Sequence, residues 1–306
     1  MGDEWMIKER IIKKTLVIPG KTVSLKDFGT GWAHYTELKD ITKEDLKKAA
    51  EELLEENRQA LASAQELLWA SNIYSVLIVL QGMDTAGKDG TIRHVMSGVN
   101  PQGVDVSSFK VPTPEEVDHD FLWRYSIKLP SRGSIGIFNR SYYEDVLVVR
   151  VHPEILDRMR LPPGKKNGKF WEERFEDINA FERHLAHNGT LILKFFLHIS
   201  KEEQKKRLLK RLENVEKHWK FSQSDLAERQ YWDSYQDIYE KMLENTSTEY
   251  APWYVIPADF KWVARTLIAD IISTKIQALD LHYPEVSDEA MANINRAKTE
   301  LNGEKK

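Results

Sequence analysis

Five short apolar runs punctuate the chain at residues 74–80, 104–111, 134–138, 191–199 and 253–256. They are rich in Val, Ile, Leu and aromatic residues, and each is short enough for a buried strand. Between them lie longer stretches in which apolar residues recur at helical spacing. The longest predicted helix spans 43–70, where Thr42 followed by Asp45 forms a start signal and Leu46, Ala50, Leu53, Leu54, Leu61, Leu67 and Leu68 supply the apolar stripe. Further helices are expected over 115–128, 141–150, 170–187, 201–214, 224–244 and 260–280, and one behind residue 88 carries Ile92, Arg93 and Met96 before Gly98 and Pro101 close it. Strands alternating with helices predict an α/β fold in three α/β/α layers, with a five-stranded, mostly parallel sheet. Residues 1–40 read as an extended arm, 41–283 as one domain, and the polar stretch 284–306 as a fraying tail.

The first apolar run breaks into Gly82-Met83-Asp84-Thr85-Ala86-Gly87-Lys88 and continues into a helix start. The spacing G-x-x-x-x-G-K after a strand is that of a phosphate-binding P-loop. Backbone N–H groups of Gly82, Ala86, Gly87, Lys88, Asp89 and Gly90 and the positive end of the helix converge on an anion, and Lys88 adds a full charge. Asp89 stands where such loops carry a Ser or Thr that touches Mg²⁺; it is either a metal contact or an acidic residue favoured at a helix N-terminus. Asp84 would repel a bound phosphate unless a cation bridges the two, so it is a metal-ligand candidate as well as a turn residue.

Charge and composition narrow the setting. The net charge of −4 leaves no global basic field, so an anionic ligand must be drawn by local patches. The absence of cysteine excludes disulfides, thiolate catalysis and Cys-based zinc sites. No apolar run approaches the roughly 18–20 residues of a membrane span, and no secretory leader is recognisable, so a cytoplasmic protein is expected. His184 and His187 are the one close histidine pair and lack companion ligands.

Ligands of parallel sheets bind beyond the carboxyl ends of the strands. The first strand ends at the P-loop, the second at Phe109-Lys110 and the third at Asn139-Arg140, so these pieces should share one crevice. Arg140 is placed to neutralise charge on a transferring phosphoryl group. Asn139 occupies the position of a metal-holding aspartate, and Glu144 and Asp145 either supply the missing charge or form a solvated face. In the segment 201–220 Lys and Arg outnumber Glu. It is either a solvated helix face or part of a helical lid over about 201–235, in which Arg207, Arg211, Lys217 and Lys220 would meet phosphate. Lys110, Arg93, Asn139 and Arg150 are the candidates for nucleotide contacts. Nucleic acid is disfavoured as a partner, since only Trp219 and Phe221 interleave the basic run.

These residues resemble the second family of polyphosphate kinases. The resemblance is carried by the G-x-D-x-x-G-K loop (Gly82, Asp84, Gly87, Lys88) and by FKVPTPEEVDHDFLWR (109–124), FNRSYYE (138–144) and KHWKFSQSDLAERQYWDSY (217–235). It implies a P-loop kinase-like fold that moves phosphoryl groups between inorganic polyphosphate and AMP, ADP or ATP, with Mg²⁺ (Mn²⁺ as a substitute) near Asp84, Asn139 and Glu144. Asp84, Lys88, Arg140 and Glu144 would then form the catalytic set, and the protein would be a homo-oligomer, a dimer or tetramer. The chain departs from the commonest pattern, D-R-S-W-Y-N, at Asn139 and Glu144. That combination resembles the subclass that accepts nucleoside monophosphates as well as diphosphates. An ATP-dependent nucleoside monophosphate kinase and a non-catalytic polyphosphate- or nucleotide-binding protein are the alternatives.

Overall fold

The computed structural model describes residues 11–34, 41–164 and 166–303. Its centre is a parallel sheet in the order β2-β3-β1-β4-β5, formed by β1 (Ser75–Gln81), β2 (Val104–Ser108), β3 (Ile135–Asn139), β4 (Thr190–His198) and β5 (Trp253–Pro257). Every residue of β1 and β5 is buried, whereas β2 alternates between half-buried and exposed at the sheet margin. The continuous apolar runs follow from this placement, because a central parallel strand is covered by helices on both faces.

On one face α1 (Lys43–Ser71) lies against α10 (Lys261–Gln277), with Thr266 Oγ1 donating to the Ala50 carbonyl at 2.9 Å. Leu54, Leu61 and Leu68 recur at seven-residue spacing and are buried, which is the stripe expected of a helix docked along one side. Thr42 caps α1 by accepting from Asp45 N at 3.2 Å. The helix behind the phosphate loop, α2 (Lys88–Val95), lies on the same face. α6 (Gly168–His187) and α9 (Trp232–Thr246) pack together on the other side, α6 also touching β4.

Three helical expectations are corrected. The stretch 115–128 is broken into α3 (Pro114–Asp118) and α4 (Trp123–Ser126). A Thr113/Glu116 capping box starts the first, which ends at His119, and Asp120 Oδ1 accepts from Leu122 N at 2.9 Å just before the second. The stretch 141–150 is a 3₁₀ turn, Tyr142–Asp145, followed by the one-turn α5 (Val148–Val151). The stretch 224–244 divides at Arg229–Tyr231 into α8 (Gln223–Glu228) and α9. Here Arg229 donates to Lys201 O and Gln204 Oε1 of α7 (Lys201–Glu213), a connection that periodicity does not reveal. Beyond Pro284 the chain forms α11 (Asp288–Gly303), started by Ser287, whose Oγ accepts from Ala290 N. No residue of α11 is buried.

Residues 16–17 run antiparallel along β5, with Leu16 paired to Tyr254 and Val17 N donating to Trp253 O at 2.9 Å. Val17, Val23 and Leu25 are buried in the same core as the sheet.

Candidate active site

β1 and β3 are adjacent and parallel, with Leu80 opposite Asn139. Their loops therefore leave the sheet at the same level and open a crevice between them. The chain after β1 must turn at once. Gly82 has φ +151°, and a Cβ there would stand 2.9 Å from the Leu197 carbonyl, so this position requires glycine. Gly87, with φ +112°, precedes the first turn of α2. A cavity of about 810 Å³ opens over this loop; Asp84 to Thr91, Ser108 to Val111 and Asn139-Arg140 line one side.

Lys88 Nζ donates to the Gly82 carbonyl at 2.6 Å, which fixes its ammonium in the mouth of the loop. Burial lowers its pKa and the charge of Arg140 adds to this, while Asp84, Glu144 and Asp89 oppose them. Arg140 follows β3 in the left-handed region, with φ +65°. Its Nη2 donates to Asp84 Oδ1 at 3.0 Å, and its Nη1 stands 3.6 Å from Glu144 Oε2. Burial works against the Arg140 charge, but Glu144 and Asp84 outweigh it and raise the pKa. Burial pushes the Glu144 carboxyl up despite Arg140 and Lys88. Asp84, Lys88, Arg140 and Glu144 are thus one charged cluster spanning the two loops.

Asn139 and Asp89, two of the three departures from the usual patterns, meet each other. Asn139 Nδ2 donates to Asp89 Oδ1 at 2.8 Å. An aspartate at 139 would set two carboxylates side by side; the amide converts that repulsion into a bond tying α2 to β3. The Asn139 amide is thereby turned toward Asp89.

Arg207 stands at the cavity wall with its N–H groups already taken. Its Nε donates to Glu203, its Nη1 to the Thr85 and Ala86 carbonyls, and its Nη2 to the Ala258 and Asp259 carbonyls. It braces the loop through these bonds while lining the same cavity. Arg211 lines the cavity and donates to Asp225 Oδ2 at 2.7 Å, joining α7 to α8. Lys110 and Lys217 line the cavity. Arg93 and Arg150 are not among its lining residues; Arg150 lies 5.5 Å over the Trp171 ring. The side chain of Lys220 lies outside the described residues.

The structure adds residues that the sequence reading missed. Lys261 and Arg265, one turn apart at the start of α10, line the cavity with Lys210. Burial lowers the pKa of Lys261, and repulsion from Arg207, Arg265, Lys217 and Lys210 lowers it further. They follow the fifth strand, so the rule about carboxyl ends would have found them had it been applied there. Gln81, 1% exposed at the end of β1, was signalled only by a polar residue closing an apolar run. Turned to satisfy both neighbours, its amide donates to Glu144 Oε1 at 3.0 Å and accepts from the Ser141 hydroxyl at 3.1 Å.

The phosphate loop, the guanidinium bracketed by carboxylates and the basic wall define a P-loop protein built for phosphoryl chemistry. The polyphosphate kinase 2 family profile matches residues 43–284, and the chain belongs to that family. It is 51% identical over 258 residues to the ADP-polyphosphate phosphotransferase of Rhodopseudomonas palustris, covering 84% of this chain and 89% of the relative. The AMP/ADP-polyphosphate phosphotransferase of Meiothermus ruber is 50% identical over 239 residues, 78% of this chain and 85% of the relative. Polyphosphate kinase 2 from Arthrobacter aurescens TC1 superposes with a TM-score of 0.82 at 40% identity, covering 93% of this chain and 95% of that one.

Two outcomes are expected. Asn139→Asp should lower Tm by a few degrees, on the order of 1 kcal/mol, and Asp89→Asn in the same chain should restore it; an unchanged Tm in the single variant would count against the pairing. The second concerns Asp145, whose carboxyl is pushed up to about 7, chiefly by burial. A carboxyl raised in the folded state contributes stability that is fully present below its unfolded pKa of about 4 and lost as pH rises through the folded value. Asp145→Asn should therefore melt several degrees above wild type near pH 8, a gap that closes toward pH 5; a pH-independent gap would overturn the assignment.

Proposed function

We infer that the protein transfers the terminal phosphoryl group of inorganic polyphosphate to AMP or ADP, reversibly. The observation that carries this reading is the basic wall. Lys210, Lys217, Lys261 and Arg265 line the same cavity as the phosphate loop, and burial together with repulsion from its neighbours lowers the Lys261 pKa. A single phosphate would not need such a row, whereas a polyanion that continues beyond the loop relieves the repulsion along its length. The names of the two relatives at about half identity support the same substrates.

A phosphate oxygen of the acceptor attacks the terminal phosphorus as the bond to the bridging oxygen breaks, leaving the chain one unit shorter. That oxygen is already ionised near neutral pH, so no general base is required, and catalysis reduces to alignment and charge neutralisation. Lys88 lies at the loop and Arg140 across from it, on opposite flanks of the space where charge builds up. Asp84 and Glu144 hold the guanidinium from two directions and restrict its swing. Lys110, on the β2 side, is the acceptor-side cation among the lining residues. Among the described residues no cluster of three or more ligand side chains stands ready for a metal. Two carboxylates on neighbouring loops fit Mg²⁺, which takes one or two carboxylates and completes its shell with phosphate oxygens and water. Asp84 and Glu144 would hold it, together with the Asn139 Oδ1, since the bond to Asp89 uses only the amide nitrogen, and it would supply charge neutralisation on the phosphates. The α7–α8 segment, bridged by Arg211 and Asp225, is the lid of this reading. A homo-oligomer, dimer or tetramer, remains part of the proposal and is read by light scattering.

The decisive assay supplies polyphosphate, Mg²⁺ and AMP without ATP. Appearance of ADP supports the reading and excludes an ATP-dependent monophosphate kinase; binding without turnover of AMP or, in a parallel arm, of ADP would sink it in favour of a non-catalytic protein. Lys88→Ala and Asp84→Asn should each reduce polyphosphate-dependent ATP formation by several orders of magnitude, and near wild-type turnover in either would remove the loop from the mechanism. Lys261→Ala with Arg265→Ala should raise the half-saturating concentration of long polyphosphate about tenfold and that of triphosphate far less. Equal effects on both donors would refute a wall that follows the chain.

A further inference from the structure

Two tyrosines fill the turn between Ser141 and Glu144, and both of their hydroxyls end on one atom. Tyr142 and Tyr143 each donate to Glu182 Oε1, on α6, at 2.8 Å. Lys194, on β4, donates to Glu182 Oε2 at 2.6 Å, to the Tyr143 hydroxyl at 2.9 Å and to the Thr246 carbonyl at 2.6 Å. All three N–H groups of the ammonium are used, and both members of the ion pair are 0% exposed. Lys194 also lies 5.2 Å over the Trp253 ring and 5.4 Å over that of Tyr143.

Stability alone does not account for such a pair. Withdrawing an ammonium and a carboxylate from water costs about as much as their attraction returns, and apolar side chains of similar volume serve a core equally well. What the pair does that apolar residues cannot is receive two hydroxyls from a single turn. That turn has reason to need fixing. Arg140 holds a left-handed backbone conformation at +65°, which persists only where the surroundings over-determine it. The turn that follows, Tyr142–Asp145, is 3₁₀, with fewer stable backbone bonds than a helix. Gln81 grips its near side through Ser141 and Glu144, and the tyrosine hydroxyls grip its far side.

We propose that the Glu182–Lys194 pair is a positioning device: acting through the hydroxyls of Tyr142 and Tyr143, it fixes the turn that sets Arg140 and Glu144 against the phosphate loop. The inference rests on the catalytic reading of Arg140 given above. Neither Glu182 nor Lys194 is placed among the groups that touch substrate. Their loss is therefore expected to disturb alignment in the transition state and to leave ground-state binding of polyphosphate, held by Lys88 and the basic wall, nearly as it was.

The test pairs Glu182→Met with Lys194→Met, which removes both charges and keeps the volume. Expected are a cooperative thermal transition, a kcat reduced 10–100-fold, and a half-saturating polyphosphate concentration within threefold of wild type. In an Arg140→Ala background, where only Glu144 is left to be positioned, the same two substitutions should cost at most a third of the factor they cost in wild type. A kcat unchanged in the folded double variant, or the same proportional loss with and without Arg140, would overturn the proposal and leave a merely structural pair. Should the double variant fail to fold, Tyr142→Phe with Tyr143→Phe is read by the same two criteria. Both rings stay in place there, packed against Tyr125, Phe181 and Trp253. Lack of polyphosphate turnover in the wild type would remove the functional reading instead. The positioning is then followed by hydrogen exchange: amides of 140–146 should exchange at least tenfold faster in the double variant while those of β1 do not change, and unaltered exchange at 140–146 overturns it.

Discussion

The contact on which the site depends is the guanidinium of Arg140 between two carboxylates from different loops. Asp84 belongs to the chain leaving β1 and Glu144 to the chain leaving β3, and Arg140 meets Asp84 at 3.0 Å and Glu144 at 3.6 Å. Neither acid could be brought so near the other without a cation between them. The same acids oppose the loss of charge at Lys88, which burial and Arg140 promote. Position and protonation are therefore set together: loosening the bracket would shift the geometry of the cluster and weaken the support the two acids give to the Lys88 charge.

Around that bracket the protein separates support from contact. Arg207 looks from its sequence like a phosphate ligand, yet it spends its donors on Glu203 and on four backbone carbonyls. The carbonyls of Thr85 and Ala86 are thereby occupied, and the N–H groups of the loop stay available to an anion. The cations of the wall come from three places: Lys210 on α7, Lys217 just beyond it, and Lys261 and Arg265 on α10. A chain of net charge −4 thereby keeps a positive crevice, because its acidic residues are spread over the exterior of helices such as α1 and α11.

Much of the architecture was legible in the sequence. All five runs became strands; for β1 and β5 the reason is that a continuous apolar run has no alternative as good as a covered parallel sheet, whereas β2 sits half-exposed at the margin. The crevice was legible for a related reason: Gly82, Lys88 and Arg140 sit where strands end, and strand ends can be read. What resisted reading depends on partners far away in the chain. The break at 229–231 arises because Arg229 is anchored to α7. The role of Arg207 as a brace depends on carbonyls contributed by two separate loops. Asn139 reads in the sequence only as a weakened metal ligand, and its bond to Asp89 is not legible there; two residues fifty positions apart become one feature only in three dimensions. Lys194 and Glu182 gave no signal at all, being single polar residues within a strand and a helix.

The short antiparallel pairing of Leu16 and Val17 with β5 carries a consequence for life in a crowded solution. A parallel sheet that ended at β5 would offer a row of unpaired backbone groups from a strand buried on both faces, an inviting template for another extended chain. The leading segment occupies part of that row and sinks Val17 into the core. At the opposite margin β2 is short and half-exposed, with Asp105 and two serines among its five residues. One border of the sheet is thus covered and the other made unattractive, so the architecture that gathers a phosphate site at its strand ends is also guarded against self-association along its sides.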